Sequence, residues 1–128
     1  MPYHLTWEPK GLIATFTGVC SIDDARRAYE QIGADPRFDD LQYQIFDFLG
    51  VTDQDVTEEQ VEEIVGLDFA HFLSNPEVIH VQVSNDPRID HLIALYIRQN
   101  ANPERQHHCN SLAQARAWIR AMLGPDMA

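Results

Sequence analysis

YQIFDFLGVTDQDVTEEQ, residues 43–60, decides how the rest of this chain is read. Its first six residues form a compact, largely apolar run, the signature of a buried strand. Asp47 and Gly50 open an acidic loop that runs to Thr57, and a helix follows. Thr57 is placed to cap that helix, with Gln60 at the third helical position completing a capping box. Glu58 and Glu59 fall in the first turn, where negative charge complements the helix dipole. Strand, loop and helix in this order make the repeating unit of an α/β fold.

The same grammar extends outward. Downstream, Val61, Ile64, Val65, Phe69 and Phe72 are expected to form the buried stripe of the helix, with Glu58, Glu59, Glu62 and Glu63 in solvent. Gly66 lies in mid-helix, where it costs about 1 kcal/mol relative to Ala, so close packing is expected there. Asn75-Pro76 breaks the chain before a fourth strand, VIHVQV. Asp86-Pro87 supplies an N-cap and a first-turn proline for a third helix marked by Ile89, Leu92, Ile93, Tyr96 and Ile97. A polar strand is expected around residues 105–109, at a sheet edge. Ser111 caps a last helix carrying Leu112, Ala115, Ile119 and Met122, which Gly124-Pro125 ends.

Upstream, Tyr3, Leu5 and Trp7 alternate with His4, Thr6 and Glu8 in a half-buried strand. Pro9-Lys10-Gly11 turns the chain into LIATFTG, and the two strands make a hairpin. Ser21 with Asp24 forms another capping box, and Ile22, Ala25, Tyr29 and Ile32 follow at helical spacing until Gly33. The order β-β-α-β-α-β-α-β-α predicts one layered α/β domain over residues 1–128. Its sheet has five mostly parallel strands with an N-terminal hairpin, and about four helices pack on it, because helices of this length join parallel strands.

That order resembles the STAS fold of bacterial anti-sigma-factor antagonists. DFLGVTDQDVT is similar to the loop after the third strand of those domains, roughly D-h-S-G-V-x-h-h-D-S-S with h apolar, and Asp47, Gly50, Val51 and Asp55 match it. ADPRFDDLQYQIFDF and the chain length resemble the SpoIIAA-like bacterial family, related in fold to STAS and more loosely to CRAL-TRIO lipid-binding domains. The resemblance implies a regulatory domain that works through protein contact; the CRAL-TRIO likeness implies, alternatively, a carrier of a small apolar or lipid-like ligand. In STAS switch proteins the serine after the loop aspartate is phosphorylated, whereas here Val56 follows Asp55. The resemblance therefore implies a switch loop without its switch. Thr57, one residue later, has a sufficient role as a cap, and phosphate there would face Asp55, Glu58 and Glu59.

Composition narrows the rest. A chain of 128 residues, 45% hydrophobic, holds one core. The net charge of −11, with Lys10 the only lysine, repels nucleic-acid backbones and anionic lipid surfaces. No apolar run of about 18 residues and no signal-peptide pattern occurs, so a cytoplasmic protein without membrane insertion is expected. Cys20 and Cys109 are then two free, buried thiols.

The six histidines show no paired ligand spacing, and Asp53, Asp55, Glu58 and Glu59 lack the glycine that would fold a calcium loop. No nucleophile elbow or phosphate loop exists. No catalytic residue, metal or cofactor is expected. Ligands of open parallel sheets bind beyond the carboxyl ends of the strands. The candidate ligand- or partner-binding residues are therefore Asp47, Thr52, Asp55 and Thr57 in one loop, with Ser84 and Asn85 in the next. Phe69, Phe72 and Trp118 are candidates for an apolar pocket between helices and sheet. Free edges at the hairpin and at residues 105–109 lead to the expectation of a homodimer.

Overall fold

Alternation of buried and open positions builds strand β1 (Tyr3–Trp7), and a two-residue reversal returns it as β2 (Gly11–Cys20). The computed structural model describes residues 2–127. Three further strands follow, β3 (Tyr43–Gln54), β4 (Ile79–Val83) and β5 (Gln106–Cys109). They lie side by side in the order β1-β2-β3-β4-β5. β1 runs antiparallel to β2, and every other pair is parallel. The helices are α1 (Ile22–Ala34), α2 (Glu58–Ser74), α3 (Pro87–Gln99) and α4 (Leu112–Leu123), with short 3-10 turns at Pro36–Asp40 and Pro103–Arg105. The expected mixed sheet, hairpin and four helices are all present.

Each parallel connection carries one helix, and α1, α2 and α3 cover one face of the sheet. The core on that side joins Leu12, Phe16 and Phe46 of the sheet to Tyr29 and Ile32 of α1 and Ile93 of α3. On the other face α4 packs Ala115 and Ile119 on Ile45, Ile79, Val81 and Val83, and Met127 adds to the same cluster. β4, with a parallel neighbour on each side, is buried at all five positions.

The caps fall where the sequence puts them. Ser21 and Thr57 each form a complete capping box, and Asp86 and Ser111 accept from the first turns of α3 and α4. Gly18 has φ +68°, where β2 slips register against β3, and a side chain would be strained in that bulge. Gly33 does not end α1, which runs one residue further; its role is close approach, since a Cβ would lie 2.8 Å from His71 Nε2.

Three expectations need correction. β3 does not give way to a loop after Phe48 but continues to Gln54, paired with β2 alone. The buried residues of α2 are Val61, Asp68 and His71, while Phe69 is 44% exposed, because polar side chains from this helix are satisfied inside the fold. Leu112 and Met122 of α4 face outward, and Trp118 packs inward in their place.

Gly66 overturns a further expectation. It is exposed, and a Cβ there would meet nothing within 4 Å. Gly66→Ala should therefore raise the unfolding free energy by about 1 kcal/mol, the full helix-propensity difference. Urea denaturation measures this, and a loss of stability would mean that the helix is packed at Gly66 after all.

Candidate functional site

The strand ends bring the β3–α2 and β4–α3 connections together. Arg88, at the start of α3, reaches Asp53 of β3 at 3.0 Å and Asp86 at 3.0 Å. His91 meets Glu58 at 2.5 Å across the same seam. The acidic side chains of this region are thus paired with neighbours or dispersed in solvent, not gathered round one point.

The predicted polar residues do not converge either. Asp47 is buried, and its carboxylate accepts the backbone N–H of Leu49 at 2.9 Å. Thr52 and Asp55 are exposed, and the Asp55 N–H is tied to the Cys20 carbonyl. Ser84 is buried: its hydroxyl accepts from the Asp86 N–H at 3.2 Å and its carbonyl from Asn110 at 2.9 Å. Asn85 is exposed beside it. Thr57 accepts from the Gln60 N–H at 3.2 Å, and the Gln60 side chain accepts from the Thr57 N–H at 3.0 Å. Thr57→Ala should accordingly cost about 1 kcal/mol, and Thr57→Asp should be neutral because Asp caps equally well. Thermal unfolding of both variants checks this.

Phe69, Phe72 and Trp118 form no common pocket. Phe69 and Phe72 stack on each other along α2, with ring centroids 6.1 Å apart. Trp118 lies across the sheet, in the α4 core, stacked on His107 at 4.7 Å. A five-stranded sheet separates them.

The cavity lies elsewhere. Between the carboxyl half of the sheet and helices α1, α2 and α3 is a space of about 100 Å³. Phe16, Phe46 and Phe48 rise from β2 and β3, and Val61, Ile64, Ile89 and Ile93 close it from α2 and α3. Cys20, Gln54, Val56 and Leu92 also line it. None of the nine residues expected from the sequence does. Val56, at the position where the STAS pattern carries its serine, turns into this space and is half-buried.

Polar groups meet the apolar wall on one side. The Tyr29 hydroxyl lies 3.4 Å from that of Tyr96, which lies 3.2 Å from His80 Nδ1. The same nitrogen faces Asp68 Oδ1 at 3.6 Å, and Asn100 donates to Asp68 Oδ2 at 2.9 Å. Burial alone would raise the Asp68 carboxyl, but donors from His80, Asn100 and Tyr96 outweigh it and hold the group below its ordinary value. Burial pushes both tyrosines well above theirs. It lowers the His71 ring, whose Nε2 lies 2.8 Å from the Tyr29 carbonyl. Burial, then the charges of Asp24 and Asp55, raise the Cys20 thiol to about 12, so it is no nucleophile at neutral pH.

Sequence reasoning passed over His80 and Gln82. The signal was available in IHVQV: a strand with parallel neighbours on both sides has helices over both faces, so its alternating His and Gln lie inside.

Among solved structures, the chain is similar to the anti-sigma factor antagonist SpoIIAA in its unphosphorylated form. The TM-score is 0.61 over 94% of this chain and 98% of that one, at 10% identity. It is also similar to the Bacillus cell fate determinant SpoIIAA in the phosphorylated form, with a TM-score of 0.58 over 92% of this chain and 99% of that one, at 9% identity. The fold is STAS-like. At such identity the likeness carries the fold alone. No protein-family model and no curated protein matches the chain. Among the described residues no helix is long and apolar enough to cross a membrane.

Proposed function

We propose that this chain is a non-enzymatic regulatory domain of the cytoplasm that works by contact with a protein partner and has no phospho-hydroxyl switch. The observation that carries this reading is the STAS-like fold with Val56 turned into the cavity at the switch position. A valine there cannot take phosphate, and Thr57 is engaged as a cap. Self-association belongs to the same reading. β1 and β5 are the two sheet edges, and each offers unpaired backbone groups to a second copy.

The test is to retrieve a partner with the tagged chain from its host, purify that partner and titrate it calorimetrically. Thr57→Asp should bind it as tightly as the native chain does. Partner loss confined to Thr57→Asp would restore the switch. Light scattering should give twice the chain mass at high micromolar concentration, and a monomer there would remove the dimer from the reading.

A second reading, carriage of a small apolar ligand, is favoured by the cavity between the sheet and α1–α3. Native mass spectrometry of protein taken gently from its host would reveal a retained molecule.

A further inference from the structure

We propose that the cavity between the sheet and α1–α3 takes an uncharged molecule without hydrogen-bonding groups, about one ring in size, held by apolar contact alone. This rests on the carrier reading and specifies the class of its ligand.

Size sets the upper limit. A dry cavity of about 150 Å³ accepts benzene. This one, at about 100 Å³ and partly open to solvent, holds a single ring with any substituent directed outward. It cannot enclose an acyl chain of lipid length.

The inner wall sets the chemistry. Phe16, Phe46, Val61 and Ile93 are buried, and the surface that faces the cavity is almost wholly apolar. Polar atoms of the lining residues are turned to protein or closed off. The Tyr29 and Tyr96 hydroxyls lie 3.4 Å from each other, and that of Tyr96 lies 3.2 Å from His80 Nδ1. Gln54 Oε1, His80 Nε2 and Gln82 Oε1 are buried atoms that show essentially no surface. A hydroxyl or amide on the ligand would therefore leave water and gain no partner.

The opening is a second sign. Protein interiors pack like organic crystals, and voids larger than a water molecule are few. Here the void continues to an apolar rim: Phe48, Val56, Ile64 and Leu92 line it and are only half-buried. Apolar side chains thus run from the solvent to the inner wall, the lining expected of a site for apolar ligands.

Charge excludes ions. Among the described residues no lysine, arginine, aspartate or glutamate lines the cavity, so neither an anion nor a cation would find a counter-charge after losing its water. Asp55 precedes Val56 at the rim and is exposed, which adds repulsion for any carboxylate or phosphate that approaches.

Toluene, phenol, benzoate and laurate, titrated into the purified full chain by calorimetry and methyl NMR, test the proposal. Toluene should bind about tenfold more tightly than phenol, because the phenol hydroxyl is buried without a partner. It should shift the methyl signals of Val61, Ile64 and Ile93 and leave Ile119, across the sheet, unmoved. Benzoate and laurate should not bind. Leu92→Trp should block toluene while circular dichroism stays native. Should that variant fail to fold, Ala25→Met, at a half-buried lining position on α1, narrows the cavity from the opposite side and answers instead. Phenol binding as tightly as toluene, or any binding of laurate, overturns the apolar one-ring rule and leaves the carrier reading standing. Toluene bound as tightly by the folded blocking variant as by the native chain overturns the site. Binding of none of the four, up to their solubility limits, overturns the carrier reading as well.

Discussion

Asp68→Ala is expected to remove about 3–5 kcal/mol of unfolding free energy in urea, because one change takes the acceptor from several buried donors. Asp68 is 6% exposed and serves several groups at once. Asn100 Nδ2 and Gln106 Nε2 donate to its Oδ2, and His80 Nδ1 faces its Oδ1. Alanine would leave these donors buried without an acceptor, at about 1–3 kcal/mol for each that water cannot reach. Asp68→Asn keeps the shape and one acceptor oxygen, so its loss should be smaller. A pH series adds a second check. The folded-state value of Asp68 lies below its unfolded value of about 3.9. Its contribution is therefore complete above that unfolded value and is lost as pH falls through the folded one. Between native protein and Asp68→Ala the stability gap should be widest near neutrality and should close in acid. A gap that does not change with pH would mean that the carboxylate is not the group holding the network.

Phe16→Ala should cost a similar amount, about 3–5 kcal/mol, for a different reason. Phe16 is 2% exposed and lies among Tyr3, Phe46 and Phe48, with ring centroids 5.8, 5.6 and 5.0 Å away. Removing its ring deletes those contacts and adds the ring's volume to the cavity that Phe16 already lines. Its own strand, β2, is hydrogen-bonded on both sides and cannot collapse into the gap, which places this site at the expensive end of large-to-small changes. Chemical denaturation measures the loss. A cost below about 1 kcal/mol would mean that the helices close freely over the sheet.

The elements were legible in the sequence because their ends carry explicit chemistry. Ser21 with Asp24, Thr57 with Gln60, and Asp86 before Pro87 each mark a helix start by a hydrogen bond that the structure contains. The end of β3 was not legible. Gly50, Thr52 and Asp53 read as a loop, yet beyond Asp47 the strand pairs with β2 only, and these exposed positions tolerate polar residues. The phase of α2 was misread for a related reason. Periodicity assigns burial to apolar residues, and here Asp68 and His71 are buried because His80 and the Tyr29 carbonyl receive them. That substitution of polar for apolar on an inward face also hid the cavity. A chain in which His80 and Gln82 are surrounded by Ile79, Val81 and Val83 looks like an ordinary core strand until the neighbours on both sides are known.

The unequal covering of the sheet bears on how the chain is made. Each strand pairs with its immediate predecessor, so the sheet can grow in step with synthesis, one strand per emerging segment. Helices α1, α2 and α3 arrive between the strands and shelter their face as it forms. The opposite face, with Ile45, Ile79, Val81 and Val83, has α4 as its helical cover. Some 40 residues separate Val83 from Leu123, the end of that helix, which is roughly 2–8 s of translation at about 5–20 residues per second. For that interval a nascent chain carries a bare aliphatic surface on a half-built sheet, the state that ribosome-associated chaperones meet and that favours misassembly when translation stalls.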